Sequence, residues 1–226
     1  MLCIKKFTGL IVLISLSGSV SAQVSDKGPA PSQDPNNPAL PSEIIRLIPR
    51  GFEVLDFLAG QLTDSGRAGY LVVIHHPDDS EQDPSPRPLL IYTARPDGTF
   101  QLSARNDAVV MRADDGGVSG DPYTDSGDGG LAIKNRYFTV QQGVAGGPNH
   151  WTDYITFHYD TQRHTWLFHK EIYTDEQPAL SDPPKPAEVK VTRADTKHPI
   201  AFADWRPDYW CEPQEHHEND EACSRH

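Results

Sequence analysis

Basic residues, cysteines and long apolar runs are all scarce in this chain. Its 226 residues carry 20 Lys+Arg against 32 Asp+Glu, for a formal net charge of −12. A chain with that balance has no electrostatic footprint for nucleic acid and is repelled by anionic lipid surfaces. A basic protein, a cationic ligand or a metal ion remain as partners of complementary charge. Catalytic signatures are missing as well. There is no G-x-S-x-G elbow, no H-E-x-x-H, no phosphate-cradling loop and no G-x-G-x-x-G. No catalytic residue and no cofactor is expected on those grounds. Hydrolysis by a carboxylate pair needs no local motif and stays open.

The longest apolar stretch near the start, Leu10 to Leu16, is too short for a bilayer, which needs roughly 20 apolar residues. It follows Lys5 and Lys6 and precedes Val20-Ser21-Ala22, a small-residue cleavage site. A positive start, a short apolar core and such an end read as a secretory signal peptide over residues 1–22. Export to the periplasm, or beyond the cell, is therefore expected, with no stable membrane insertion after cleavage. Cleavage would leave 226 − 22 = 204 residues and remove two lysines and no acid, moving the charge from −12 to −14. Cys3 would go with the leader. Cys211 and Cys223 would remain, and two cysteines in an oxidising compartment are expected to pair. The short loop so closed would stabilise the fold by roughly 3 kcal/mol on the chain-entropy model.

Residues 23–41 are proline-rich and polar, a composition that buries little, and read as an extended tether. Pro41-Ser42-Glu43 then opens a short helix. Ser42 is the expected cap, Ile44, Ile45, Leu47 and Ile48 the apolar face, and Pro49 and Gly51 the stop. From Phe52 onward the texture is that of strands. Tyr70 to Ile74 and Leu89 to Tyr92 are short continuous apolar runs. Pro96-Asp97-Gly98 and Asn135 mark turns, and Tyr154 to Tyr159 and Trp166 to Lys170 flank a polar turn. A mainly β domain is expected over 42–176: an antiparallel twisted sheet or small sandwich with a short N-terminal helix. Residues 177–226 read as an irregular extension, with Val189 to Thr192 a candidate last strand and Trp205, Tyr209 and Trp210 packing onto the domain.

Several segments carry a resemblance. Leu47 to Phe52, Gly60-Gln61-Leu62, Arg87 to Ile91, Ala104 to Asp107, Gly116 to Pro122 and Tyr154 to Trp166 resemble a group of uncharacterised secreted bacterial proteins. In those proteins the segment at Gly60 looks like a single degenerate FG-GAP or VCBS-type repeat. The resemblance implies a compact secreted β domain and supplies no activity. It also implies a Ca²⁺ loop that this chain has lost. The ligand positions fall on Gln61, Thr63, Ser65, Gly66 and Gly69, and Asp64 is one position out of register. A neutral loop offers no hard carboxylate oxygens to replace the ion's water. A cysteine pair that the relatives tend to carry before Gly116 falls here on Arg112 and Asp115.

Asp114, Asp115, Asp121, Asp125 and Asp128 share one glycine-rich loop. They could offer an acidic lip to a basic partner, could wrap an ion, or could be plain turn residues. The spacing fits no EF-hand, and no metal site is assigned. His75-His76 alternate across a strand and cannot easily share one ion. His216-His217-Glu218-x-Asp220 has the right composition for zinc but sits in a tail that fixes little. His150 and Trp151 place an aromatic beside polar groups, a pattern that serves a partner surface as well as a core. The expected function is a non-catalytic periplasmic binding protein, for example an inhibitor or immunity protein acting on a basic toxin or hydrolase. The five aspartates, then His150 and Trp151, are the expected contacts. The alternative is an envelope enzyme on glycan or peptidoglycan, or a small-ligand or metal binder.

Overall fold

The computed structural model describes residues 39–125, 129–145, 150–176 and 186–207. The leader, most of the tether, Asp128, Cys211, Cys223 and the His216–Asp220 cluster lie outside the described residues, as do Tyr209 and Trp210. Among the described residues one short helix, α1 (Ser42–Leu47), precedes nine strands. The first four are β1 (Glu53–Gly60), β2 (Gly69–His75), β3 (Leu89–Ala94) and β4 (Phe100–Asn106). They form one antiparallel sheet in sequence order. The others are β5 (Gly130–Lys134), β6 (Tyr137–Val144), β7 (His150–Asp160), β8 (Thr165–Glu176) and β9 (Glu188–Arg193). They form a second antiparallel sheet, also in order. The expected mainly β architecture, two sheets with a short leading helix, is what is observed.

The runs in β2 and β3 are apolar throughout because both faces of the first sheet are covered. Leu71, Val73, Leu89 and Ile91 face the second sheet and join Phe138, Val140, Ile155 and Phe157 in the main core. Tyr70, Val72, Ile74, Leu90 and Tyr92 face outward, onto Ile44 of α1 and the flanking Leu40, Ile48 and Phe52. Antiparallel strands with one solvated face would alternate instead. The helix is anchored rather than capped as expected. Pro41, not Ser42, occupies the N-cap, and no side chain caps the helix. Proline holds its own φ near −57°, so the chain enters the helix one residue earlier, with the Pro41 carbonyl accepting from Ile45 N at 3.1 Å. A Glu43 oxygen instead accepts from Phe100 N at 3.0 Å, tying α1 to β4. Of the expected apolar face only Ile44 is fully buried, while Ile45 and Leu47 are about half exposed.

The β5–β6 hairpin turns at Asn135 and Arg136, both at positive φ, as a two-residue turn of this hand requires. Arg136 has no intrinsic liking for that region. Its backbone is held by tertiary bonds, N–H to Gln61 O at 3.1 Å and O from Tyr159 N at 3.0 Å. The β-structure continues past residue 176, and the candidate last strand Val189 to Thr192 falls within β9. Strand β9 pairs with β8 from Lys170–Arg193 to Asp175–Glu188. Phe202 and Trp205 then return to the core, both making edge contacts with the Phe157 ring at 5.1 and 5.9 Å. Such pairs contribute about 0.5–1.5 kcal/mol each beyond the area they bury.

Two polar clamps hold the irregular segments. Asn106 meets all four of its obligations. Its amide donates to Phe202 O at 2.5 Å and Trp205 O at 2.8 Å, and its oxygen accepts from Ala108 N and Val109 N. Arg87, only 3% exposed, lies between two carboxylates. Its Nε donates to Asp79 at 2.6 Å, and its two terminal nitrogens grip Asp121 at 2.8 and 2.6 Å. The remaining oxygen capacity is filled by Ser85 on Asp79 and by Tyr123 N on Asp121. Burial would push the Asp121 carboxyl up, but the Arg87 bonds and charge outweigh it and hold it below its ordinary range. Arg87→Lys keeps the charge and loses the fork, leaving buried oxygens without donors. It is expected to destabilise the fold by about 3 kcal/mol or more. A urea midpoint within error of wild type, with unchanged slope, would refute that.

Candidate functional site

Strand β7 turns alternate residues inward: Trp151, Asp153, Ile155, Phe157 and Tyr159. The last three build the core. The first two do not, and the cross-strand register shows what surrounds them. Gln142, Asp153, Tyr173 and Lys190 form one row across β6 to β9. Val144, Trp151, Asp175 and Glu188 form the next row toward the strand ends, and Val140, Ile155, Glu171 and Thr192 the row below. The inner face of the large sheet therefore changes character along its length. One end is aromatic core. The other is an acid-rich surface with a Trp151–Tyr173 stack, ring centroids 5.9 Å apart and 27° between planes.

A one-residue bulge in β8 helps to set this up. The register slips between Thr156 and Phe157, so His169 is the extra residue. Trp166 and Phe168 point inward before it and Glu171, Tyr173 and Asp175 after it. Without that slip the β8 acids would face the other way. Among the described elements, β8 packs outside its own sheet on the 3-10 turn Phe202–Asp204. That contact lies at its Leu167–Phe168 end, where Leu167 bridges Ala201 and Phe168 N donates to Ile200 O.

Asp153 is the unusual group. Its side chain is buried, the residue being 3% exposed, and its Oδ1 has no hydrogen-bond partner among the described residues. Burial, then the nearby Glu171 charge, push its carboxyl up to about 8, against a smaller opposing bond from Gln142. Asp153 therefore carries a proton at neutral pH. Gln142 is itself committed, accepting from Met111 N at 3.0 Å and donating to Val109 O at 3.3 Å. It fastens the connection between β4 and β5 onto β6.

The aspartates expected to form an acidic lip take up different tasks. Asp121 is buried on Arg87 and turned inward. Asp115 accepts from Arg112 N at 2.8 Å and pairs with its guanidinium, joining the two positions where the resemblance implies cysteines. Asp114 lies 3.5 Å from Arg112. Asp125 is exposed and accepts from Asp121 N at 3.2 Å. Asp128 lies outside the described residues. The loop and Trp151 nevertheless come together. Gly116 packs so closely on Gly120 O and Val144 that a side chain there would collide, and Val144 pairs with Trp151. Pro122 O accepts from Gly143 N at 2.8 Å. The loop tip presents Val118 at 95% exposure beside this end of the sheet. His150 starts β7 and its side chain takes the opposite face from Trp151.

Sequence reasoning missed Asp153, Glu171, Tyr173, Asp175 and Glu188. An acid among aromatics at the inward phase of an alternating strand is a legible signal for Asp153. The β8 acids were hidden by the bulge. The loop at Gln61–Gly69 holds itself together where the resemblance would place ligands: Thr63 Oγ1 donates to Ser65 Oγ at 2.9 Å, and Arg67 reaches Arg95 O. Among the described residues no group of three His, Cys, Asp or Glu is placed to hold a metal. No described helix is long and apolar enough to cross a membrane.

The fold and this surface define a two-sheet antiparallel β protein with an acid-rich, aromatic end on its larger sheet. Comparison with protein-family models, with curated proteins and with solved structures gave no match.

Asp153 also sets a pH dependence. The unfolded chain releases this proton near 3.8 and the native state keeps it to about 8. Between those values the native state binds more protons, so stability falls as pH rises, by about 1.4 kcal/mol per unit for this group alone. Asp153→Asn removes that slope. The variant is expected to match wild type near pH 4 and to exceed it by a few kcal/mol at pH 7.5. Parallel urea-midpoint profiles from pH 4 to 8 would contradict it.

Proposed function

We propose that this chain is a non-catalytic, extracytoplasmic binding protein. It engages a basic protein partner through the acid-rich aromatic end of its five-stranded sheet. An inhibitor or immunity protein acting on a basic toxin or hydrolase is the version we favour. The observation that carries the reading is the register: Glu171, Asp175 and Glu188 lie about the Trp151–Tyr173 stack on the inward face, above the buried, protonated Asp153, with Lys190 the one cation in those rows. Carboxylates beside an aromatic face suit a lysine or arginine side chain, through charge pairing and cation–π attraction. Val118, two residues from the Gly116 that packs on Val144, adds an exposed apolar side chain on the same loop. The net charge of −12 would speed encounter with a basic partner. The leader read from the sequence supports the compartment.

One observation favours a second reading. A protonated Asp153 beside Glu171 has the make-up of a general acid with its carboxylate, and the aromatic stack could seat a sugar ring. Its 3% exposure keeps substrate from the acid, so the binding reading stands first.

Calorimetry with hexalysine, the minimal basic probe, tests the site. Wild type is expected to bind at low ionic strength and to weaken steeply with salt. The pair Tyr173→Ala and Asp175→Asn is expected to lower affinity roughly tenfold, about 1.4 kcal/mol. Undiminished binding by that variant would place recognition elsewhere. Release of reducing sugar from peptidoglycan by wild type and not by Asp153→Asn would establish the enzyme instead.

A further inference from the structure

A separate cavity of about 340 Å³ lies at the opposite side of the first sheet from the site just described, on its helix-bearing face. Antiparallel pairing brings four strand ends to one edge: the start of β1, the end of β2, the start of β3 and the end of β4. Helix α1 covers the other edge, where Glu43 holds Phe100 N and Tyr92 Oη donates to Leu47 O at 3.4 Å. Six residues are too few to span the sheet, and the uncovered edge becomes a hollow. Phe52, His76, Pro86, Pro88, Arg105 and Asp107 line it, together with Ala108 and Arg206.

The walls and the rim differ in chemistry. Phe52 and His76 pack ring on ring, centroids 4.1 Å apart and tilted by 36°, and with the two prolines they give the slot a largely apolar wall. The rim holds two guanidiniums against one carboxylate. Arg105 Nε donates to Asp107 at 2.6 Å, and its two terminal nitrogens have no protein partner among the described residues. The Arg105 side chain is 41% exposed, so those nitrogens remain open to a ligand. Arg206 is held in place by donating to Ala203 O and Trp205 O. Arg105 thus offers an open pair of cationic donors at the mouth of a cavity on a chain of net charge −12.

We propose that this cavity is a binding site for a small aromatic carboxylate. Its ring lies in the slot formed by Phe52, His76 and the prolines, and its carboxylate takes a forked pair of bonds from Arg105. The volume is at the small end for such sites, which fits one or two fused rings rather than a peptide. The inference is independent of the basic-partner reading, because the two sites prefer ligands of opposite charge.

An amide-resolved NMR titration with 2-naphthoate tests it, with 2-naphthylmethylammonium as the matched cation. Naphthoate is expected to shift the amides of His76, Asp107 and Ala108 in a saturable way, and the amine to bind at least tenfold more weakly. Arg105→Gln, a surface change that leaves the sheet's amide pattern intact, is expected to weaken naphthoate tenfold or more. His76→Ala is expected to weaken both probes by a similar factor, since it removes a ring contact that both share. Equal affinity for the two probes, shifts confined to other surfaces, or full affinity in Arg105→Gln would each overturn the proposal. So would no saturation up to about 10 mM, the weak limit for a specific site.

Discussion

One buried guanidinium organises the irregular half of this molecule. Arg87 enters just before β3 and binds Asp79 from the preceding loop and Asp121 from the long connection between the sheets. A charged group so deeply placed is tolerable only when paired and hydrogen-bonded. Once both carboxylates are engaged, the segments that carry them have little freedom left. Tyr123, two residues on, is carried into the core and donates to Asp56 at 2.8 Å, which fixes the connection against β1 as well. Burial, then the neighbouring carboxylate, push that phenol well above its ordinary range, so it stays a neutral donor.

That placement decides the shape of the candidate site. With the connection held over β6, Gln142 is satisfied by Met111 and Val109, and the inward face of β7 to β9 beyond it keeps its acids and aromatics. Asp153 lies buried at the boundary, with one oxygen that has no hydrogen-bond partner among the described residues. The cost of that arrangement falls on stability at neutral pH, and strain of this kind is common where surfaces serve recognition.

The short apolar runs, the turn at Asn135 and the alternation of Tyr154 to Tyr159 were legible because strand period and turn chemistry are local properties. The mainly β class follows from them. Less legible was the extent of the domain. A last strand at Val189 to Thr192 and a packed Trp205 were legible after the proline-rich stretch, but only the tertiary structure shows that the strand lies exposed at the edge of the second sheet while Phe202 and Trp205 enter the main core. The loop aspartates drew attention by composition, which says nothing of direction. Asp121 and Asp125 are four residues apart, and one is buried on an arginine while the other is exposed.

By itself the sequence determined the acidic balance, the scarcity of catalytic motifs, the strand-rich class and the aromatic content of β7, all of which depend on residue type and short-range period. Only the tertiary structure decided which carboxylates meet. A single-residue bulge at His169 turns Glu171, Tyr173 and Asp175 to the inner face, and a guanidinium 34 residues away in sequence draws Asp121 inside. Both depend on pairing between distant segments, where one residue of register reverses the face, and no local pattern records that choice.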